Sequence, residues 1–165
     1  MDGAQVERLV EEYSDLIFRI AFHNVGNRAE AEDITQSVFL KLMEKAPPFE
    51  DREHERAWII RVTLNLCRDW FRSPWHRRRA GGLEDLENMP SPSREPGEGG
   101  EVLAAVLALP VRYRNVVYLY YYEDLPLARI AAILDTREGT VASWLHRARK
   151  RLRAALEGGF DDDQP

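Results

Sequence analysis

Five residues between Trp58 and Arg72 recur at intervals of three or four: Trp58, Arg61, Asn65, Arg68 and Arg72. On a helix that spacing puts them on one face. An aromatic, an amide and three arginines together suit single-stranded or melting DNA. The ring stacks on an unpaired base while the guanidiniums hold the backbone. Trp58 taken alone reads as core rather than as a stacking platform, because large aromatics are usually buried.

A second constellation lies near the C-terminus. Leu127-Ala128-Arg129-Ile130-Ala131-Ala132-Ile133-Leu134 reads as a short helix, Asp135-Thr136 as a turn, and Arg137 onward as a second helix with Val141 and Leu145 facing inward. Ala131 falls where two crossing helices approach closely, which requires a small side chain. This is helix-turn-helix spacing. Asp135 takes the turn position usually held by glycine, and aspartate tolerates the left-handed region better than most residues. Thr136 is expected to cap the second helix, and Glu138 in its first turn suits the dipole. Such a helix enters the major groove by its N-terminal residues. Its outward positions are Arg137, Thr140, Ser143, Trp144, Arg147 and Lys150. Arginine reads guanine edges, and Thr or Ser bonds bases or phosphates. A helical hairpin with a solvated charged surface is the competing reading. The coincidence of turn, small residue and basic helix favours duplex DNA.

Both faces need helices to hold them. Apolar periodicity predicts helices over Val6–Val25, Ala29–Lys45 and Glu53–Arg72, broken by Gly26-Asn27 and by Pro47-Pro48. Further helices are predicted over Val102–Leu109, Val111–Tyr122, Leu127–Leu134 and Arg137–Leu156. The run Val116–Tyr122 is β-branched and aromatic enough for a strand, but its neighbours are helical and Pro110 suits a helix start. Between the two groups, prolines and glycines (Gly81, Gly82, Pro90, Pro92, Pro96, Gly97, Gly99, Gly100) mark a linker. The expectation is an all-α chain of two small helical domains. A first domain of three or four helices spans 1–80, a flexible acidic linker 81–100, a helix-turn-helix domain 101–157 and an acidic tail 158–165.

Composition narrows the function classes. Of 165 residues, 44% are apolar and 31% charged, too apolar for a disordered chain. No apolar run approaches the ~18–20 residues that span a bilayer, so no membrane insertion is expected. The opening MDGAQVERLVEEY lacks the basic and apolar regions of a secretory signal. The lone Cys67 cannot form an internal disulfide, and the chain reads as cytoplasmic. The net charge of −5 conceals two basic segments. Arg61, Arg68, Arg72, Arg77, Arg78 and Arg79 stand against Asp69 alone. Arg137, Arg147, Arg149, Lys150, Arg151 and Arg153 stand against Glu138 alone. Phosphates meet local charge, not net charge. His23, His54, His76 and His146 are scattered without ligand spacing to Cys67, so no metal or cofactor is expected. There is no Gly-rich phosphate loop. Glu32-Asp33 is a carboxylate pair on a helix with no visible pocket, and the chain is not read as an enzyme.

Three segments resemble the extracytoplasmic-function (ECF) sigma factors of bacterial RNA polymerase. Ala31-Glu32-Asp33-Ile34-Thr35-Gln36-Ser37-Val38-Phe39-Leu40 is similar to their region-2 polymerase-binding helix. Ala57-Trp58-Ile59-Ile60-Arg61-Val62-Thr63-Leu64-Asn65-Leu66-Cys67-Arg68-Asp69 is similar to their promoter-melting helix. Leu109-Pro110-Val111-Arg112-Tyr113-Arg114, followed by Gly139-Thr140-Val141-Ala142-Ser143-Trp144-Leu145-His146-Arg147-Ala148-Arg149, is similar to their region 4. The resemblance implies an alternative sigma factor that binds core polymerase at the β′ clamp helices and β flap, and directs promoter-specific initiation. It implies polymerase contacts at Asp33, Gln36, Phe39 and Leu40. It places Asn65 and Asp69 where a flipped base of the −10 element is read, beside Trp58, Arg61, Arg68 and Arg72. It puts Ser143, His146, Arg147 and Arg149 among the residues facing the −35 duplex. It also implies an anti-sigma partner. Many members carry a basic residue where this chain has Ala142 and Trp144. That departure leaves Trp144 to meet a sugar or a thymine methyl. The acidic tail is placed to compete with DNA for the basic helix. The rival is a stand-alone helix-turn-helix repressor or activator with a palindromic site and a stable dimer. It leaves the Trp58–Arg72 face unexplained.

Overall fold

Asp2 starts the first helix. The Gln5 N–H donates to Asp2 Oδ1 at 2.9 Å and Gln5 Oε1 accepts from the Asp2 N–H at 3.0 Å, a capping box. Helix α1 therefore begins at Gly3, before its apolar pattern does, and runs Gly3–Val25. Gly26 closes it at φ 68°, a left-handed conformation that glycine enters without steric cost. Asn27 then opens α2 (Arg28–Lys45) by accepting from the Glu30 N–H at 2.9 Å. One dipeptide both ends a helix and begins the next. Asp51 caps α3 (Arg52–Arg72) through the His54 N–H at 2.7 Å.

The computed structural model describes residues 2–73 and 100–157. The chain divides into two units, Met1–His76 and Arg77–Pro165. Most of the predicted linker and all of the acidic tail fall outside the described residues, as do Arg77, Arg78 and Arg79.

In the first unit α1, α2 and α3 pack pairwise against one another. Leu16, Ile17 and Ile20 of α1, Ala31, Ile34, Val38 and Leu42 of α2, and Ile59, Ile60, Leu64 and Phe71 of α3 are all buried. Each large side chain so buried contributes about 1.5–3 kcal/mol relative to exposure. Two polar ties fix how the helices meet. The Trp70 Nε1–H donates to Glu30 Oε2 at 3.0 Å, joining α3 to α2. Glu55, only 5% exposed, joins α3 to α1. It accepts from Arg8 Nη2 at 2.8 Å and from the Tyr13 hydroxyl at 2.8 Å, while Arg52 reaches Glu12. Burial pushes the Glu55 carboxyl up, but the hydrogen bonds from Arg8 and Tyr13 and the charges of Arg8 and Arg52 more than offset it, so its pKa lies below the ordinary value. Burial and the bond to Glu55 push the Tyr13 phenol up.

The loop after Pro47-Pro48 carries Phe49, whose ring meets Trp58 edge-on with centroids 5.7 Å apart and His54 at 5.4 Å. Trp58 is half-buried there.

In the second unit α4 (Gly100–Leu107), α5 (Val111–Val117) and α6 (Leu127–Leu134) each pack against α7 (Glu138–Leu156). Pro110 precedes α5 as expected. The run Val116–Tyr122 is helical throughout, ending in a π-helical turn over Tyr118–Tyr122. Arg114 is 1% exposed, and its Nε–H donates to the Leu109 carbonyl at 2.9 Å. Burial lowers its pKa to about 10, which leaves it charged at neutral pH. Asp135 adopts φ 55°, ψ 50°, the left-handed conformation the turn requires. Thr136 does not cap the following helix. Its N–H closes α6 on the Ala131 carbonyl at 2.9 Å, and Arg137 takes the N-cap position with no side-chain bond. The left-handed turn has already committed Thr136 to the end of α6. Among the described residues there is no strand, and no helix is long and apolar enough to cross a membrane.

Two outcomes are expected. Because Glu55 titrates below its ordinary value of 4.5, its ionisation contributes stability that is complete above that value and lost as pH falls through the folded-state value. Glu55→Gln should cost about 1–3 kcal/mol at neutral pH and flatten the acid limb of a denaturant-unfolding series. An equal loss at pH 7 and pH 3 would contradict this. Trp58→Ala should cost about 1–3 kcal/mol by stripping Phe49 of its partner, and Trp58→Phe less. An unchanged unfolding midpoint would mark the ring as a surface platform only.

Candidate functional site

Helix α7 has one buried seam, Val141, Leu145 and Ala148, which packs it into the second unit. With 3.6 residues per turn the other positions fall into stripes. Gly139, Ser143, His146 and Lys150 form the stripe opposite the seam. Gly139, His146 and Lys150 are exposed and Ser143 is half-buried. Beside it runs Thr140, Trp144, Arg147 and Arg151, with both arginines exposed and Thr140 and Trp144 half-buried. Arg137 is exposed at the start of the helix. Left to solvent on these stripes, then, are the cations Arg137, Arg147, Lys150 and Arg151, with the His146 ring among them.

Two residues of the sequence-derived set engage the second unit itself. Trp144 lies under the Arg112 guanidinium, 5.6 Å from ring centroid to Cζ. Arg149, exposed but on the far side of the outward stripe, donates from Nε to the Tyr121 hydroxyl at 2.6 Å. Its guanidinium also lies 5.7 Å over Tyr120 and 5.6 Å over Tyr121. Periodicity alone placed α7 correctly but carried no information about which neighbours its flanks would meet. Arg112, Arg151 and the π-turn tyrosines were accordingly missed. The signals in the sequence were the alternation Arg112-Tyr113-Arg114 and the tyrosine run Tyr120-Tyr121-Tyr122.

In the first unit α3 buries Ile59, Ile60, Thr63, Leu64, Cys67 and Phe71. Arg61, Asn65, Arg68 and Arg72 are exposed as one stripe, with Asp69 exposed beside it. Trp58, at the head of that stripe, is the member committed to packing. Helix α2 buries Ala31, Ile34, Val38 and Leu42 and presents a different kind of face. Asp33, Gln36 and Leu40 are exposed in a line, and Met43 extends it by one turn. Leu40 is 53% and Met43 48% exposed. Phe39 is half-buried at its edge. Apolar side chains in the line of an otherwise polar face mark a surface suited to another protein. Met43 was missed although it lies three residues beyond Leu40. Cys67 is buried, and burial pushes its thiol up, away from reactivity. No group of three or more His, Cys, Asp or Glu side chains among the described residues could share a metal ion.

Residues 9–78 match the Sigma-70 region 2 family model, and residues 99–152 match the Sigma-70, region 4 model. The chain is 31% identical over 163 residues to the ECF RNA polymerase sigma factor SigL of Mycobacterium tuberculosis, covering 94% of this chain and 91% of that protein. It is 29% identical over 162 residues to the ECF RNA polymerase sigma factor SigW of Bacillus subtilis, covering 90% and 87%. Against the ECF RNA polymerase sigma factor SigE of Mycolicibacterium smegmatis it is 31% identical over 157 residues, but spans 61% of that longer protein. In fold it is similar to the sigma factor RpoE solved in complex with the anti-sigma factor NepR from Bartonella quintana. The TM-score is 0.73 at 21% identity, over 92% of this chain and 96% of that one. It is also similar to CnrH solved in complex with the cytosolic domain of CnrY, with a TM-score of 0.65 at 22% identity, over 95% and 90%. With its region 2 on α1–α3 and its region 4 on α4–α7, the chain belongs to the ECF sigma factor family of bacterial RNA polymerase.

Proposed function

We propose that the chain binds core RNA polymerase and directs initiation at a particular class of promoters. Helix α2 docks on the polymerase through Asp33, Gln36, Phe39 and Leu40, with Met43 extending the contact. The α3 stripe of Arg61, Asn65, Arg68 and Arg72, with Asp69, captures bases unstacked from the −10 element; Trp58 supports that stripe from its seat on Phe49. Helix α7 enters the major groove of the −35 duplex, with Arg137, Thr140, Ser143, His146, Arg147 and Lys150 toward the DNA. The work is done by binding, without a catalytic step. It takes place where polymerase and chromosome are, in the cytoplasm. Domains of 1–80 and 101–157, joined by the segment 81–100 and followed by the tail 158–165, divide the labour between the two promoter elements. Since RpoE and CnrH were solved in complex with NepR and CnrY, the chain is proposed to have an anti-sigma partner of its own.

The observation that carries this reading is the α2 face. Two large apolar side chains stay exposed in line with an acid and an amide. A dimeric helix-turn-helix regulator could spend such a surface on a second copy, but it leaves the exposed α3 stripe of Arg61, Asn65, Arg68 and Arg72 without a role. Unstacking a base costs a few kcal/mol, and a protein that lacks another source of free energy gains it from partner contacts. Polymerase supplies these and brings the two DNA-facing helices to their elements together.

The test is a titration of the full chain against bacterial core RNA polymerase without DNA. One-to-one binding is expected. Leu40→Arg and Asp33→Arg, at exposed positions, should weaken it at least tenfold while changing the unfolding free energy by no more than about 0.5 kcal/mol. Absence of binding, with duplex binding retained, would overturn the proposal.

A further inference from the structure

Where α2 ends, a groove of about 300 Å³ opens between the start of α1, the last turns of α2 and the segment 46–49. Leu9 and Leu42, both buried, line it together with Met43, Pro47, Pro48 and Phe49. The wall is preformed. Two consecutive prolines fix the backbone, and the Phe49 ring is held edge-on against Trp58 and His54. The polar groups in the lining are largely spent on one another. Gln5 Oε1 accepts from the Asp2 N–H. Arg8 pairs with Glu55 at 2.8 Å and with Glu12 at 3.3 Å. Glu55 also accepts from the Tyr13 hydroxyl. A small ligand is oriented by several convergent polar groups, and a groove so satisfied does not offer them. It offers a seat for one large apolar side chain.

Continuity shows where that side chain comes from. Met43 lines the groove and is also the last member of the exposed line Asp33, Gln36, Leu40 and Met43. A partner lying along that line arrives at the groove. Protein interfaces concentrate their binding free energy in a few anchors seated in such recesses, with flatter contacts around them. Resting on the reading of α2 as the polymerase-docking helix, we infer that the groove is the anchor site of that interface. The polymerase segment that lies along α2 inserts one large apolar side chain among Leu9, Met43, Pro48 and Phe49. A wall already held in place lowers the ordering cost of the contact. Trp58 thus serves two faces: it heads the α3 stripe, and by holding Phe49 it steadies the groove.

The test titrates the full chain against bacterial core RNA polymerase without DNA. Two variants obstruct the groove and leave the exposed line intact. Ala46→Phe puts a ring into it from a residue at φ −61°, which any side chain accepts. Pro48→Asp puts a carboxylate on its wall. Each is expected to weaken binding about tenfold, the loss of one anchor, with an unchanged unfolding midpoint. The loss in Ala46→Phe should persist as salt is raised, because no charge is involved. In chain carrying isotope-labelled methionine, the Met43 methyl resonance should shift on adding polymerase and stay in place on adding duplex DNA. A lowered midpoint in Ala46→Phe would leave Pro48→Asp to decide. Leu40→Arg separates the two readings. If it weakens binding while both groove variants bind as the parent does, the groove inference fails and the docking face stands. If the parent chain does not bind polymerase, both fail. Self-association of the parent chain, abolished by Ala46→Phe, would assign the groove to a second copy and overturn the inference.

Discussion

A helix has one stripe to bury, and everything else in this protein follows from which stripe each helix spends. On α3, burying Ile59, Ile60, Thr63, Leu64, Cys67 and Phe71 leaves Arg61, Asn65, Arg68 and Arg72 in a line outside. On α2, burying Ala31, Ile34, Val38 and Leu42 leaves Asp33, Gln36, Leu40 and Met43. On α7, burying Val141, Leu145 and Ala148 leaves a cationic face. The outward stripes are free to be chosen for partners only because the inward ones satisfy packing without them. This is why single outward substitutions are expected to change binding with little effect on folding.

The same constraint governs charge. A chain of net charge −5 gains nothing from long-range attraction to DNA, so its cations must act at close range and in fixed positions. Aromatic side chains provide the fixing in the second unit. Arg149 is held by Tyr120 and Tyr121, Arg151 by Tyr113, and Arg112 by Tyr113 and Trp144. In the first unit the fixed charge is turned inward. Glu55, Arg8 and Tyr13 form a satisfied cluster joining α1 to α3, so the angle at which α3 presents its arginines is set by a buried carboxylate rather than by apolar packing alone.

Periodicity made the helices legible because each is amphipathic over several turns. Ends were less so. Helix α1 begins three residues before the reading from Val6, although Asp2 and Gln5 spell out a capping box. Thr136 looked like an N-cap by type and position, yet the left-handed turn at Asp135 assigned its N–H to α6. The outward faces of α3 and α7 were readable for the same reason as the helices, whereas Asp33, Gln36, Phe39 and Leu40 on α2 were read only from the resemblance. What the pattern could not contain was tertiary. Nothing in the spacing of Arg149 points to Tyr121, 28 residues away, and nothing in Trp58 names Phe49. Glu55 reads as an ordinary first-turn acid until Arg8 and Tyr13 are placed beside it.

Trp144 shows how a tertiary contact changes the meaning of a residue. By sequence it is an outward position on a recognition helix that has lost a basic side chain. In the fold it is half-buried beneath Arg112. The indole there is engaged by a cation carried on α5, so it joins α5 to α7 instead of standing clear as an outward reader. Tyr113, Val116 and Val117 of α5 and Val141 and Leu145 of α7 are buried in the same unit, and the packing of these two helices fixes where the indole and the guanidinium sit.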